Sequence, residues 1–234
     1  MAQSGSAPGL GPGGPRFESL YSDHVKDYML IAAGDSIVFG SELSDEYLTP
    51  SNLTFPALYA KQLNLEYKCL AQPGISNSTI ARTVISYLEK NTADVVLVCW
   101  TFPNRQEFYI DNKWKTLNGW IHNPDGEYDK EVVDFSKTYF KLAHSDYYEK
   151  YAMLKEILLL QNYLKVKNQR YVFTANSNID FSDCEHASAV DRSQWIWFNG
   201  EGFYDWANRQ KFPKGPEGHP LEQAHEEGSK FLPG

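Results

Sequence analysis

Ser36 has the setting of a nucleophile. It closes the run Tyr28-Met-Leu-Ile-Ala-Ala-Gly-Asp-Ser36, in which an apolar stretch of strand length stops abruptly at Gly34-Asp35. A hydroxyl just beyond the carboxyl end of a strand lies where open α/β sheets bind ligands, and free N–H groups after such a turn hold anions. Acyl transfer at this serine needs a base for its proton and donors for the developing oxyanion. Gly74, in Gln72-Pro-Gly-Ile-Ser-Asn77, offers a backbone N–H; Trp100-Thr-Phe-Pro-Asn-Arg105 offers polar side chains; His219, in Pro216-Glu-Gly-His-Pro220, offers an imidazole. A lone Gly-Asp-Ser is as well explained by a turn that caps a helix. Four such features, each at the end of a predicted strand or opening the last predicted helix, carry the reading further.

The elements that must position them alternate. Residues 28–33 read as a strand, and 53–65 as a helix with Phe55, Leu58, Tyr59 and Leu63 at helical spacing. A strand over 65–71 ends at Pro73-Gly74, and a helix over 77–90 carries Ile80, Val84, Ile85 and Leu88 on one face. Asp94-Val-Val-Leu-Val-Cys-Trp100 is a continuous apolar run, as a central parallel strand covered on both faces requires. A long helix over 146–166, with Tyr151, Leu154, Ile157, Leu158 and Tyr163 inward, leads to a strand over 170–175, and a last helix starts near Pro220. This alternation predicts a doubly wound α/β sandwich. Residues 101–145 and 176–215 break the rhythm and read as aromatic-rich insertions, the first a lid rather than sheet. Residues 1–16, rich in Gly and Pro, read as a flexible arm, leaving 17–234 as a single domain.

Composition narrows the function classes. A net charge of −8 without a basic stripe argues against nucleic acid as the partner. No run of about 18 apolar residues suggests a membrane span, and the N-terminus lacks a signal pattern. Three cysteines, Cys69, Cys99 and Cys184, are an odd set without Cys-x-x-Cys spacing, so buried free thiols and a cytoplasmic location are expected. Gly9, Gly11 and Gly14 form a G-x-G-x-x-G match, but no strand precedes it and Pro12 interrupts it, which excludes a dinucleotide site. Asp180, Asp183, Cys184 and His186 fit no metal motif, and His219 and His225 lack i, i+4 spacing, so neither metal nor cofactor is expected. Aromatic residues make up 15% of the chain, more than a core requires. Those at 102–120 and 195–206 are read either as lid packing or as a platform for sugar rings.

From residue 28 to about 232 the chain resembles the SGNH/GDSL hydrolase superfamily. Gly34-Asp35-Ser36 is similar to its nucleophile block, Gly74 to its oxyanion glycine, and His219, followed by Pro220, to its late base. The resemblance implies a flavodoxin-like three-layer α/β/α sandwich with a parallel central sheet, and metal-independent hydrolysis of esters. It makes Ser36 and His219 the catalytic pair and Ser36, Gly74 and Thr101 the oxyanion hole. Asp35, Asn77, Trp100, Asn104 and Arg105 are the expected substrate-site residues. Two positions depart from the pattern. Thr101 stands where the third block carries Asn, with Asn104, Asn77 and Arg105 as alternative donors. Pro216 stands where an Asp precedes the base by three residues, which leaves Glu217 as the nearest candidate to orient His219, or a Ser-His dyad whose imidazole is held by a backbone carbonyl. A phage or bacterial subset of the superfamily is similar in its Trp-Thr-x-x-x-Arg-x-Glu block, matched by Trp100, Thr101, Arg105 and Glu107; a virion-associated location is the alternative for a phage-encoded member. There Arg105 is expected to bind a substrate carboxylate or to brace the lid through Glu107, or the two form a plain structural ion pair. The expected substrate is a small-molecule or glycan ester, with a carbohydrate O-acyl or O-acetyl ester preferred from the aromatic content. The alternatives are an O-acyltransferase using the same residues and a non-catalytic glycan-binding or structural module.

Overall fold

The computed structural model describes residues 28–118, 121 and 129–233, so the arm at 1–16 lies outside the described residues. In chain order the first elements are β1 (Met29–Ala33), α1 (Ser36–Phe39), α2 (Phe55–Gln62), β2 (Glu66–Cys69), α3 (Asn77–Leu88) and β3 (Val95–Trp100). Then come β4 (Gln106–Ile110), β5 (Lys113–Leu117), α4 (Lys130–Leu142), α5 (Asp146–Val166), β6 (Tyr171–Ala175), α6 (Phe203–Arg209) and α7 (Glu222–Ser229). Four of the strands form one parallel sheet in the order β2-β1-β3-β6, registered by Met29 on Glu66, Leu30 on Val95 and Val96 on Tyr171. This is the flavodoxin-like order, in which the strand sequence reverses beside β1 and opens a crevice at its carboxyl end.

A parallel sheet must be covered on both faces, and alternation along each strand does this. Ile31, Ala33, Val96, Val98 and Trp100 point to one side, where Ile80 and Val84 of α3 meet Leu154, Ile157 and Leu160 of α5. Leu30, Ala32, Val95, Leu97 and Cys99 point to the other, against Phe55 and Tyr59 of α2, Phe203 and Trp206 of α6 and Ala224 of α7. The architecture is therefore the expected three-layer α/β/α sandwich. On α5 the fully buried stripe is Met153, Leu154, Ile157, Leu160 and Leu164; Tyr151, Leu158 and Tyr163 flank it, half-buried.

Both segments read as irregular contain ordered structure. Residues 101–145 include an antiparallel β4–β5 hairpin rather than a lid without sheet. Its two-residue connection, Asp111-Asn112, holds both φ angles positive, at 51° and 57°. Such turns match the strand twist, and Asp and Asn tolerate them. Leu117, Ile121, Val132 and Tyr139 then build a small separate core between the hairpin and α4. In 176–215, Trp195, Phe198, Phe203 and Trp206 are buried. Phe198, Phe203 and Trp206 close the sheet face that has no long helix, and Trp195 packs edge-on against Phe173. They are core residues, not a sugar platform. No helix among the described residues is long and apolar enough to cross a membrane.

Candidate active site

Ser36 is the first residue of α1, a single turn directly after β1. The Asp35 carboxylate caps it by accepting the Ile37 N–H at 3.1 Å, and the turn closes with the N–H groups of Gly40 and Ser41 both 2.9 Å from the Ser36 carbonyl oxygen. The chain then reverses through Glu42, which holds a left-handed φ of 71°. A non-glycine residue there costs about 1–3 kcal/mol, and the Glu42 carboxylate offsets it with three donors. Oε1 accepts the Glu217 N–H at 2.8 Å. Oε2 accepts the His219 N–H at 3.1 Å and lies 2.7 Å from His219 Nδ1. On the far side of the ring, His219 Nε2 lies 2.9 Å from Ser36 Oγ. An ionised carboxylate only accepts, so Nδ1 carries the ring proton and Nε2 is left to accept from the Ser36 hydroxyl. The relay Glu42–His219–Ser36 thus has the connectivity of a serine nucleophile, its base and the group that orients the base.

The carboxylate on His219 is therefore Glu42 and not Glu217. The Gly215–Gly218 turn, closed by the Gly218 N–H on the Gly215 carbonyl at 2.9 Å, carries Pro216 and Glu217 at its centre and turns the Glu217 backbone N–H, rather than its side chain, into the relay. Burial alone would raise the Glu42 carboxyl, but the Glu217 N–H, the His219 ring and the His219 N–H hold it below the usual glutamate value.

A cleft of about 650 Å³ opens over this relay. It is lined by Asp35, Ser36, Gly74, Arg105, Glu217 and His219 among the expected site residues, by Phe102 and Tyr204 from the two aromatic-rich segments, and by Asn118, which no motif marks. Gly74 holds φ at 76° with open space where a Cβ would stand, so its amide reaches the cleft without a side chain in the way. Neither it nor the Ser36 N–H, at the start of α1, donates to another described group.

The remaining expected residues do not line the cleft. Thr101 is buried, its hydroxyl donating to Asp35 Oδ2 at 2.6 Å and its N–H to Asn77 Oδ1 at 2.9 Å. Asn77 Nδ2 is committed to the carbonyls of Thr101 and Phe102. Trp100 packs edge-on against Phe173 in the core, and Asn104 sits in an exposed turn. Asp35 is saturated rather than open to substrate, since Oδ2 also accepts Arg105 Nη1 at 2.9 Å and Asn176 Nδ2 at 3.0 Å. Arg105 does not brace Glu107. That carboxylate pairs with Arg82 at 2.6 Å and bonds the Thr79 hydroxyl, fixing the hairpin to α3. Asn176, one residue past β6, had no motif to mark it, although a polar residue at a fourth strand end is the general signal. Ligand atoms of His144, Asp146 and Glu149 gather within 4.8 Å of one another at the α4–α5 connection; among the described residues no such group involves the cleft.

A family model described as "Family of unknown function (DUF6071)" matches residues 43–227. No curated protein matches the sequence. Among solved structures, the psychrotrophic esterase EstA from Pseudoalteromonas sp., in a structure inhibited by monoethylphosphonate, is 11% identical with a TM-score of 0.50, covering 88% of this chain and 94% of its own. TesA is 10% identical with the same TM-score of 0.50, covering 87% and 94%. At these identities the likeness shows the fold alone, a parallel-sheet α/β sandwich.

Proposed function

The chain belongs to the DUF6071 family, and we propose that it is a serine ester hydrolase of the SGNH type. The observation that carries this reading is the continuous relay from Glu42 through His219, at 2.7 Å, to Ser36, at 2.9 Å, at the floor of an open cleft. Ser36 Oγ attacks the ester carbonyl as His219 Nε2 takes its proton. The N–H groups of Ser36 and Gly74 hold the oxyanion. His219 returns the proton to the leaving alcohol, and water then releases the acid by the reverse sequence, with Glu42 keeping the ring oriented throughout. No step calls for a metal. For the alcohol side we assign a carbohydrate, carrying an acetyl or similarly short acyl group, with Phe102 and Tyr204 at the cleft wall to meet the apolar face of a sugar.

The test is hydrolysis of p-nitrophenyl acetate and of acetylated glycans by wild type, Ser36→Ala and His219→Ala. Turnover by wild type that falls by about 10³-fold or more in both variants is expected. Turnover that persists in both variants, or is absent on every ester, overturns the assignment.

A further inference from the structure

Two oxyanion donors are accounted for in the cleft, and the residue in the family's third position, Thr101, has spent both its hydroxyl and its amide inside the protein. Building on the ester hydrolase reading, we propose that Arg105 supplies the third oxyanion donor. The buried amides are spent, Asn77 on two carbonyls and Asn176 on Asp35, and Asn104 is outside the cleft. Arg105 lines the cleft with Ser36 and Gly74. Its side chain is only 12% exposed, and its bonds to Asp35 Oδ2 and, more weakly, the Ile75 carbonyl both use Nη1. A guanidinium has five N–H groups in a fixed fork, so anchoring through one nitrogen leaves the Nη2 and Nε side for a ligand. The anchor also sets the position. Asp35 precedes the nucleophile and Ile75 follows Gly74, so Nη1 joins the two loops that carry the backbone donors.

The exchange is chemically coherent. A neutral amide in this place needs no counter-ion, whereas a guanidinium needs one. The buried Asp35 provides it while Thr101, Asn176 and the Ile37 N–H share the same carboxylate. Thr101, standing at the amide position, has become part of the support of the cation. Charge-assisted donors are about twice as strong as neutral ones, so one guanidinium can replace an amide without loss.

The experiment is the second-order rate of labelling by a fluorophosphonate probe, whose phosphoryl oxygen occupies the oxyanion position. Ser36 Oγ bonds to phosphorus, fluoride leaves, and the Ser36 proton passes to His219. Wild type should label and Ser36→Ala should not; failure of either result removes the ester hydrolase reading and this inference with it. Given both, Arg105→Gln should label about 10²–10³-fold more slowly, and Arg105→Lys, which keeps the cation beside Asp35 but loses the fork, about 10-fold more slowly. Millimolar guanidinium ion should restore labelling of Arg105→Gln in a saturable way, which a merely structural arginine would not allow. Should Arg105→Gln fail to fold, Arg105→Lys decides alone. Rates within three-fold of wild type in the folded Arg105 variants, loss without guanidinium rescue in a folded Arg105→Gln, or a larger loss in Asn118→Ala than in either, would overturn the inference.

Discussion

Glu42→Gln isolates the carboxylate of the relay with little change in shape. The wild-type group receives three donors: the Glu217 N–H on Oε1, and the His219 N–H and Nδ1–H on Oε2. A glutamine amide has one acceptor oxygen and one NH₂ group. If its oxygen faces His219, the NH₂ confronts the Glu217 N–H, and a donor left unpaired in this half-buried site costs about 1–3 kcal/mol beyond the lost charge. If the amide flips, NH₂ donates to Nδ1, the ring proton moves to Nε2, and the nitrogen facing Ser36 Oγ no longer accepts. The first orientation weakens the base and the second removes it. Losing a charged hydrogen bond worth about 1.5–3 kcal/mol, with part of the population in the wrong tautomer, gives roughly 10²–10⁴ in kcat/KM. The assay is kcat/KM on a short-chain aryl ester between pH 5 and 9, with Glu217→Gln in parallel. Because Glu217 meets the relay only through its backbone, its variant should stay within about three-fold of wild type. Glu42→Gln within five-fold of wild type, or a larger loss from Glu217→Gln, would refute the assignment of the orienting group.

Two further outcomes follow from the packing around this relay. His225 is fully buried and accepts the Phe55 N–H on Nδ1 at 3.1 Å; burial lowers its pKa from 6.5 to about 3. The unfolded chain takes up this proton near 6.5 and the folded one resists it, so the stabilisation is complete above 6.5 and is lost as the pH falls toward 3, at up to about 1.4 kcal/mol per unit. Urea denaturation of wild type should therefore lose roughly 3 kcal/mol between pH 6.5 and pH 4 from this group, and a folded His225→Gln should lose that much less. At Gly215, an added Cβ would meet the Glu42 carboxylate oxygen at 2.4 Å. Gly215→Ala should lower kcat/KM by about ten-fold or more while moving Tm by only a few degrees, and unchanged kcat/KM would show that the turn yields instead.

The fold was legible because its evidence is local and repeated. The alternating faces of 95–100 had to serve two layers, and Ser36, Gly74, Arg105 and His219 each fell at a boundary marked by Gly, Pro or a change of period. The hairpin departs from the expected lid because aromatic, Asn-rich sequence suits surface loops and exposed strands alike, although Asp111-Asn112 between Tyr-Ile and Lys-Trp is a turn signal. Trp195, Phe198, Phe203 and Trp206 belong to the core rather than to a sugar platform for a different reason. Composition counts rings, but only the topology reveals a sheet face that lacks a long helix and must be closed by them.

Glu42 was out of reach for the most instructive reason. A motif ties a function to an offset, which places the expected carboxylate just before His219, where Pro216 and Glu217 stand. The geometric requirement is only that some carboxylate reach Nδ1. A one-turn helix after Ser36 returns the chain to that point from the other end of the sequence, 177 positions away. Thr101 has the same character: it departs from the asparagine of the superfamily the sequence resembles, yet its hydroxyl donates to Asp35, which in turn holds Arg105 at the cleft. Both departures, read as missing parts, favoured a non-catalytic module. With a carboxylate on His219 and Arg105 lining the same cleft as Ser36, each instead fits the proposed relocation of a role. Glu42→Gln and Arg105→Gln probe the two relocations separately. Because the two side chains share no direct bond and reach Ser36 through different elements, their effects on labelling should be close to multiplicative in the double variant.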